Sequence, residues 1–409
     1  MKKPVNTEEL RHLNRATVLG ALREMKQASH SDIAQNTSLA SGTVSVITGE
    51  LIQEGAIERI ETPPPSGRGR PKVIFGLRPG YSHFAIVQIT SGSVDYSLVD
   101  YCGRLIDRFA RPRLEAENSA EGFGHRLRDE IALLAQRSKL APEDLSALSV
   151  STKGFVDRNQ SVLRWSPVLG DQMLDFATIL PNKLELPVRL THETSLVAAA
   201  VLRGSPTTVA QNAVLSLGDS IGFGVAQRNA IGEVEHFAPI FAHMVEDPGG
   251  PLCRCGAKGC TESFAAFYGI LRRAFEAPNS TSPAKFIPID QMNRIAGQAR
   301  AGDRRTGLAF REAGRALGLG LARVFSLYGP MPLTITGPGL SFFDLMREGL
   351  EENLNNTLQA RLGEATQITF QTDEAQIVFD SNVSETLKIF DDEVVSTRRS
   401  GGIKLEIVS

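Results

Sequence analysis

The sequence has few cysteines, no long apolar run and almost no net charge. It contains no stretch of about 18 apolar residues, which excludes a membrane-spanning helix. A formal net charge of −2 over 409 residues excludes a polycation. Residues 1–17 lack the apolar segment of a secretory signal, so we expect a cytoplasmic protein that keeps its four cysteines reduced. The length and a hydrophobic fraction of 42% are typical of two or three globular domains.

Three of the four cysteines lie in one glycine-rich stretch, residues 243–262, where Cys253, Cys255 and Cys260 follow His243. Disulfides between cysteines this close together would be strained. Three thiolates and an imidazole suit a tetrahedral Zn²⁺, and the glycines allow the turns of a metal knuckle. Four protein ligands leave no open coordination position, so we expect one structural Zn²⁺ per chain. The alternative is a loop of reduced, non-ligating thiols; Cys102, in a predicted hairpin turn, is expected to be structural.

Residues 1–80 have the pattern of a winged helix-turn-helix. Apolar periodicity predicts a helix over residues 14–25, a second that begins with Ser31 as its N-cap, and a third within residues 38–57. The outer face of the third helix would enter the major groove of DNA, where hydroxyl groups can bond to base edges or phosphates. The predicted contacts on this helix are Ser41, Thr43, Ser45 and Thr48.

Two predicted strands, residues 56–59 and 73–77, would form the wing. Between them Arg68, Arg70 and Lys72 lie on a loop rich in glycine and proline, which suits insertion into a narrow minor groove. The alternatives are a generic helical bundle and a flexible basic linker. Because the helices and the basic loop occur together and in this order, the sequence favours a double-stranded DNA operator as a partner.

From about residue 81 short apolar strands alternate with helices in two successive blocks. The first block has predicted strands at 84–90, 94–100, 104–110, 145–157 and 188–192, and helices at 120–136 and 193–203. The second has strands at 213–219, 221–227 and 332–339, and a helix at 304–327. This pattern predicts an α/β protein with domains at 1–80, 81–205 and 206–409 and a cleft between the last two. Residues 270–290 are expected to form a surface excursion and residues 403–408 a strand; the C-terminal segment could pack back on the first lobe.

Several motifs carry a resemblance to a known family. A winged helix, then LSLGDSIGFGVA, H-x9-CxCGxxGCxE, RALGLGLARVFSLYGP and ITGPG, resembles ROK (repressor, open reading frame, kinase) transcriptional regulators of the xylose-repressor and N-acetylglucosamine-repressor type. The resemblance covers nearly the whole chain. It implies a two-lobed actin/hexokinase-like (ribonuclease H-like) fold with a zinc knuckle, a sugar site in the cleft, and a homodimer or homotetramer.

The resemblance also implies site residues. The zinc ligands would be His243, Cys253, Cys255 and Cys260. His243 and Glu262 fall where the family contacts sugar hydroxyls, and His192 and Glu193 are expected in the same cleft. Trp165 is either a stacking wall of this cleft or a core residue.

The chain departs from the family's sugar kinases at the phosphate site. Where those kinases carry Asp-x-Gly-Gly-Thr, residues 88–93 contain no carboxylate and one glycine. The place of the catalytic aspartate holds Glu193, whose longer side chain would displace a base. The third glycine-rich turn is only Gly-Pro-Gly at residues 337–339. Because phosphoryl transfer depends on all these parts, we expect no catalytic residue and no kinase activity. The alternative is a ROK sugar kinase with a DNA-binding appendage that uses Glu193 as base.

The sugar-binding positions are altered as well. The family's Pro-Asn reads Pro167-Val168, its Glu-x-Gly-His has Ile240 in place of the glutamate, and the asparagine beside the catalytic acid is His192. An unpaired buried polar group costs about 1–3 kcal/mol, so three such changes disfavour an unmodified glucose-type ligand. The options are a modified sugar, a sugar phosphate or no ligand. The sequence therefore predicts a DNA-binding repressor that senses a sugar or sugar derivative, with control by a partner protein as another alternative.

Overall fold

The computed structural model describes residues 7–61, 72–113, 119–157, 159–167, 169–170, 172–179, 187–363 and 365–397. The N-terminal part, here called the head, consists of α1 (Thr7–Met25), β1 (Gln27–Ser29), α2 (His30–Thr37), α3 (Ser41–Glu54), β2 (Ile57–Ile60) and β3 (Ile74–Leu77). Its strands form an antiparallel sheet in the order β1-β3-β2. The two predicted wing strands therefore pair with each other, and the basic positions 68 and 70 lie outside the described residues.

The second helix begins at a different cap from the predicted one. The Ser29 side chain accepts a hydrogen bond from the Asp32 amide, and the Asp32 carboxylate accepts one from the Ser29 amide. This reciprocal capping box satisfies two amides that the helix leaves open. The prediction of Ser31 as the N-cap was therefore wrong, because the three-residue spacing to an acidic residue starts at Ser29.

Two five-stranded sheets form the body, and we call them the first-lobe and second-lobe sheets. The first lobe contains β4 (His83–Ile89), β5 (Ser93–Asp100), β6 (Leu105–Pro112), α4 (Ala120–Arg137), β7 (Leu145–Thr152), β8 (Phe155–Val156), β9 (Val162–Trp165), β10 (Leu174–Asp175), α5 (Phe176–Ile179), β11 (Val188–His192) and α6 (Glu193–Gly204). Its sheet has the order β11-β7-β4-β5-β6, and β8, β9 and β10 form a small separate sheet.

The second lobe repeats this topology. It contains β12 (Gln211–Ser216), β13 (Gly222–Arg228), β14 (Val234–Phe237), α7 (Thr261–Ala265), α8 (Phe267–Ala274), α9 (Ile289–Arg300), α10 (Arg304–Tyr328), β15 (Leu333–Thr336), α11 (Phe343–Asn355), α12 (Leu358–Arg361) and β16 (Ile368–Phe370). In each sheet three antiparallel strands are followed by two parallel ones, and the second has the order β14-β13-β12-β15-β16. The predicted α/β fold class with two similar blocks is confirmed.

Residues 270–290 do not form the predicted surface excursion throughout. Helix α8 covers residues 267–274, and its Ile270 and Leu271 are buried in the core of the second lobe. Ile287 is buried in the same core. Apolar residues at helical spacing within this segment were the signal for a packed helix. No helix of the described residues has the length and apolar character needed to cross a membrane.

The last described element, α13 (Glu374–Thr397), joins the head to the body. It packs on β4 and β7 of the first-lobe sheet, on α6 and on α1. One hydrophobic core is shared by the head, the first lobe and α13, and it includes Val18, Leu22, Phe84, Phe379, Val383 and Leu387. The head is thus packed directly on the first lobe rather than attached by a linker alone. The predicted strand at 403–408 lies outside the described residues.

Candidate functional site

A cavity of about 250 Å³ lies between the two lobes. Its first-lobe wall comes from residues 153–157, from β9 and from the end of β11, and its second-lobe wall from residues 236–243 and Glu262. Of the four predicted ligand-binding residues, His192, His243 and Glu262 line the cavity. Glu193 is not among the described lining residues. The structure therefore brings three of the four into one space.

Lys153 is a lining residue that the sequence reasoning missed. It follows β7 directly, and its Nζ lies 3.3 Å from Glu193 Oε1 and donates to Ser216 Oγ at 3.0 Å. Burial pulls the pKa of Lys153 down, but the carboxylates of Glu374 and Glu193 outweigh burial and leave it raised. Lys153 is therefore a charged group that links β7 of the first lobe to β12 of the second.

Glu193 lies behind this lysine at the first residue of α6. Its side chain is 12% exposed and is paired with the Lys153 ammonium. Burial raises the pKa of Glu193, and Lys153 offsets part of that effect. A base at this position would have to leave its ion pair before it could take a proton from a sugar hydroxyl.

His192 is the N-cap of α6. Its Nδ1 accepts a hydrogen bond from the Thr194 amide at 3.2 Å. Because Nδ1 is an acceptor, this bond assigns the ring proton to Nε2. Burial and the nearby Lys153 ammonium lower the pKa of His192 to about 3. At neutral pH the cavity wall therefore carries a neutral imidazole with an Nε2–H donor.

His243 and the three cysteines form a cluster that could hold a metal ion. The four ligand atoms all lie within 4.8 Å of one another. His243 Nδ1 is 3.5 Å from Cys253 Sγ, and Cys255 Sγ is 3.7 Å from Cys260 Sγ. Gly259 has φ +69°, and a Cβ there would lie 1.5 Å from the Asp247 carbonyl oxygen. Only glycine allows this turn, which brings Cys260 to the other ligands.

The metal cluster and the cavity share a wall. Glu262, 1% exposed, lies two residues after Cys260. Its Oε2 accepts a hydrogen bond from the Ile221 amide at 3.4 Å. Burial raises the pKa of Glu262 to about 7. Trp165 lines the cavity and packs edge-on against His243 with the ring centroids 4.7 Å apart, so it belongs to the cavity wall.

The outer face of α3 carries three of the four DNA contacts predicted for this helix. Ser41 and Ser45 are exposed and Thr43 is half-buried. Val46, with 61% of its surface exposed, lies on the same face and was missed by the sequence reasoning. Lys72, at the end of the basic loop, is exposed. These side chains are accessible to a partner.

Thr48 does not belong to this face. It is 1% exposed, and its hydroxyl donates to the Val44 carbonyl at 2.9 Å and lies 2.8 Å from His30 Nε2. The prediction that Thr48 contacts DNA was therefore wrong. Its hydroxyl instead forms hydrogen bonds inside the head, and the one with His30 links α3 to α2.

The acidic residues of α3 point toward α1. Glu50 is paired with Arg11, and Glu54 accepts a hydrogen bond from Arg15 at 2.8 Å. These arginines neutralise the only two carboxylates of α3. The outer face of the helix is consequently free of negative charge that would repel a phosphate backbone.

The sequence model of the ROK family matches residues 103–376, which is two thirds of the chain. The chain belongs to the ROK family. Among its relatives, the xylose repressor of Caldicellulosiruptor bescii is 25% identical over 358 residues, which cover 85% of this chain and 88% of that protein.

Solved structures of ROK proteins share the fold. A ROK family transcriptional regulator, a homologue of the E. coli MLC protein, has a TM-score of 0.70 and 20% identity, covering 94% of this chain and 97% of that one. A ROK glucokinase from Streptomyces griseus, in complex with glucose and AMPPNP, has a TM-score of 0.54 and 22% identity, covering 74% of this chain and 99% of that one. The predicted two-lobed kinase-like fold is confirmed by both.

One departure from the ROK sugar kinases has a structural counterpart. Gln88, where the sequence comparison places the aspartate of Asp-x-Gly-Gly-Thr, donates its side-chain amide to the Ala375 carbonyl at 3.2 Å. Ala375 belongs to the first turn of α13. The position that lacks a carboxylate therefore contributes to the attachment of α13.

Proposed function

We propose that this ROK protein is a cytoplasmic DNA-binding transcriptional repressor whose cleft binds a sugar or a sugar derivative. The observation that carries the proposal is the single hydrophobic core shared by the head, the first lobe and α13. Because the same first lobe forms one wall of the cavity, a movement of this lobe that closes the cleft would also move the head. The names of its relatives support this function, since a curated relative is a xylose repressor.

The cavity chemistry suits a ligand rich in hydroxyl groups. His192 offers a neutral N–H donor, and Glu262 offers a buried carboxylate. Convergent polar groups in a small cavity with apolar walls are typical of small-molecule sites. We propose His192, His243 and Glu262 as effector contacts, with Glu193 acting through Lys153 rather than on the ligand.

The same geometry supports the loss of kinase activity. Glu193 is held in an ion pair with Lys153, and the Gln88 side chain is bonded to α13. Neither supplies a free carboxylate for a proton or for a magnesium ion. We therefore propose no catalytic residue.

We propose that the metal ion is a structural zinc. In a tetrahedral site two sulfurs at about 2.3 Å from zinc lie about 3.8 Å apart, and a sulfur and a nitrogen about 3.6 Å apart. The observed separations of 3.7 Å between Cys255 and Cys260 and of 3.5 Å between Cys253 and His243 fit this geometry. Through Nδ1, zinc would fix the His243 ring and leave Nε2–H as its other donor.

We propose that the active form is a homodimer or homotetramer on a two-fold symmetric operator. The half-sites would then lie on one face of the duplex, at multiples of about 10 bp. Ser41, Thr43 and Ser45 would contact the major groove. Arg68, Arg70 and Lys72 would reach the minor groove.

The experiment is selection of duplexes from a random library, followed by footprinting at moderate salt. We expect two protected half-sites for the wild type. Ser45→Glu places a carboxylate on the outer face of α3 and should abolish protection, whereas Ser326→Glu, at an exposed position of α10, should not. The absence of sequence-specific protection by the wild type would refute the proposal.

A second assay separates the repressor from the kinase alternative. An ATP-coupled assay over a panel of sugars should show no turnover. Turnover that is abolished by Glu193→Gln would instead support a sugar kinase with a DNA-binding head.

A further inference from the structure

Two large apolar side chains border the cavity from opposite lobes. Phe155 of the first lobe is 44% exposed and Ile240 of the second is 53% exposed, although both line the cavity. Phe155 is the partner of Trp165 across β8 and β9, so these two rings share one face. Exposed apolar surface beside a cavity is typical of a ligand-binding groove. We call Phe155, Trp165 and Ile240 the apolar rim.

The inner part of the cavity is polar, and the hydrogen-bonding capacity of its carboxylate is only partly used. The Glu262 carboxylate is 1% exposed, and it accepts hydrogen bonds of 3.4 Å from the Ile221 amide and 3.5 Å from the Tyr268 hydroxyl. Both are longer than usual, since N–H···O bonds are about 2.7–3.2 Å and O–H···O bonds about 2.5–3.0 Å long. Buried carboxylates normally have full hydrogen-bond partners, so this one can accept a further donor from a ligand. A sugar hydroxyl supplies such a donor.

The described residues that line the cavity include no free lysine or arginine for a phosphate. Among the described lining residues, Lys153 is the one lysine or arginine. Its ammonium is paired with Glu193 and also faces the charge of Glu374. Two carboxylates against one ammonium leave no uncompensated positive charge on Lys153. An anionic group placed here would lose its hydration without gaining an unpaired cation.

We propose that the effector is an uncharged glycoside with an apolar substituent. Its hydroxyls would bind Glu262 and His192, and the substituent would lie between Phe155 and Ile240. This inference rests on the proposed function as an effector-controlled regulator and narrows its ligand. It excludes sugar phosphates and sugar acids.

The test is a binding panel with the full-length, metal-loaded protein. The ligands are p-nitrophenyl glycosides of glucose, galactose, xylose and N-acetylglucosamine, each with its free parent sugar, together with glucose 6-phosphate and N-acetylglucosamine 6-phosphate. Thermal shift identifies binders, and calorimetry measures their Kd. We expect at least one aryl glycoside to bind about tenfold tighter than its parent sugar, because the aryl group buries apolar surface at the rim.

A pair of variants tests whether the apolar rim causes the preference for aryl glycosides over free sugars. Ile240→Glu should reduce the glycoside-to-sugar ratio of affinities to about one, since a carboxylate replaces the apolar contact. Ile231→Glu makes the same change at an exposed residue outside the cavity lining and should leave the ratio unchanged.

Four results would overturn the inference. They are tighter binding of a sugar phosphate, equal affinity for free sugar and glycoside, no binding by any member of the panel, and an unchanged ratio in Ile240→Glu. Footprinting of the same wild-type preparation keeps the two proposals apart. If the protein protects an operator but the panel fails, the ligand class is wrong while the repressor function stands.

Discussion

The attachment of the head to the body depends on a buried ion pair whose removal can be measured. Arg23 of α1 is paired with Asp391 of α13 at 2.8 Å, and the Tyr101 hydroxyl donates to the same carboxylate at 2.6 Å. The guanidinium also lies 4.9 Å from the centroid of the Tyr101 ring. The Asp391 side chain is 5% exposed, so water cannot replace the arginine.

Arg23→Met removes the cation and leaves the carboxylate buried. Loss of one partner of such a pair costs about 3–5 kcal/mol. Burial raises the pKa of Asp391, so uptake of a proton would relieve part of the penalty. We therefore expect the lower end of this range, about 3 kcal/mol, at pH 7. The double variant Arg23→Met, Asp391→Asn removes both charges of this pair and should recover more than half of the loss.

The measurement is native-state hydrogen exchange of the α1 amides, which reports the free energy of opening of the head. DNA affinity of the same variants shows whether an undocked head still binds. Arg347→Met is the matched control, because its pair with Glu351 is exposed and should contribute only about 0.3–0.5 kcal/mol. A loss below about 1 kcal/mol in Arg23→Met would refute the role of the pair. So would additivity, in which the loss in the double variant equals the sum of the losses in Arg23→Met and Asp391→Asn alone.

Three further predictions concern the cleft and the metal cluster. Lys153→Met leaves the Glu193 carboxylate without its ammonium, so denaturant unfolding should show a loss of about 3 kcal/mol; an unchanged midpoint would contradict this. Cys255→Ser should reduce metal content from about one ion per chain toward zero and destabilise the second lobe, and a metal-free but fully folded wild type would count against a structural metal. His192, with its pKa lowered to about 3, must gain a proton when the chain unfolds below pH 6.5. The stability contributed by neutral His192 is therefore fully present above pH 6.5 and decreases toward pH 3, and the free energy of unfolding should be lower by about 1–2 kcal/mol at pH 5. His192→Gln should flatten this dependence of the free energy of unfolding on pH.

The sequence was sufficient to predict a feature wherever the residues that form it lie close together in the chain. The spacing of His243 and the three cysteines predicted the cluster, because four ligands within 18 residues can meet only in a tight turn. The 3.6-residue period of α10 predicted a helix at 304–327, and the structure has it at Arg304–Tyr328. Short apolar runs predicted all five strands of the first-lobe sheet and β12, β13 and β15 of the second-lobe sheet to within a few residues, whereas β14 and β16 were not predicted.

Long-range contacts could not be predicted in the same way. Lys153 has no other charged residue within three positions in the sequence. Its partners Glu193, Ser216 and Glu374 come from three distant segments. Its place directly after a buried strand was the one available signal, because ligands bind at the carboxyl ends of such strands. Helix α13 was missed since its β-branched residues have little helical preference, and its packing on four other elements stabilises it.

The position of α13 in the chain has a consequence for synthesis. Arg23 and Asp391 are 368 residues apart, so the head emerges from the ribosome long before the helix that completes its core. At about 5–20 residues per second the delay is roughly 20–70 s. During that time Val18 and Leu22 lack their α13 neighbours. A nascent chain should therefore acquire a fully packed head only after translation has passed α13.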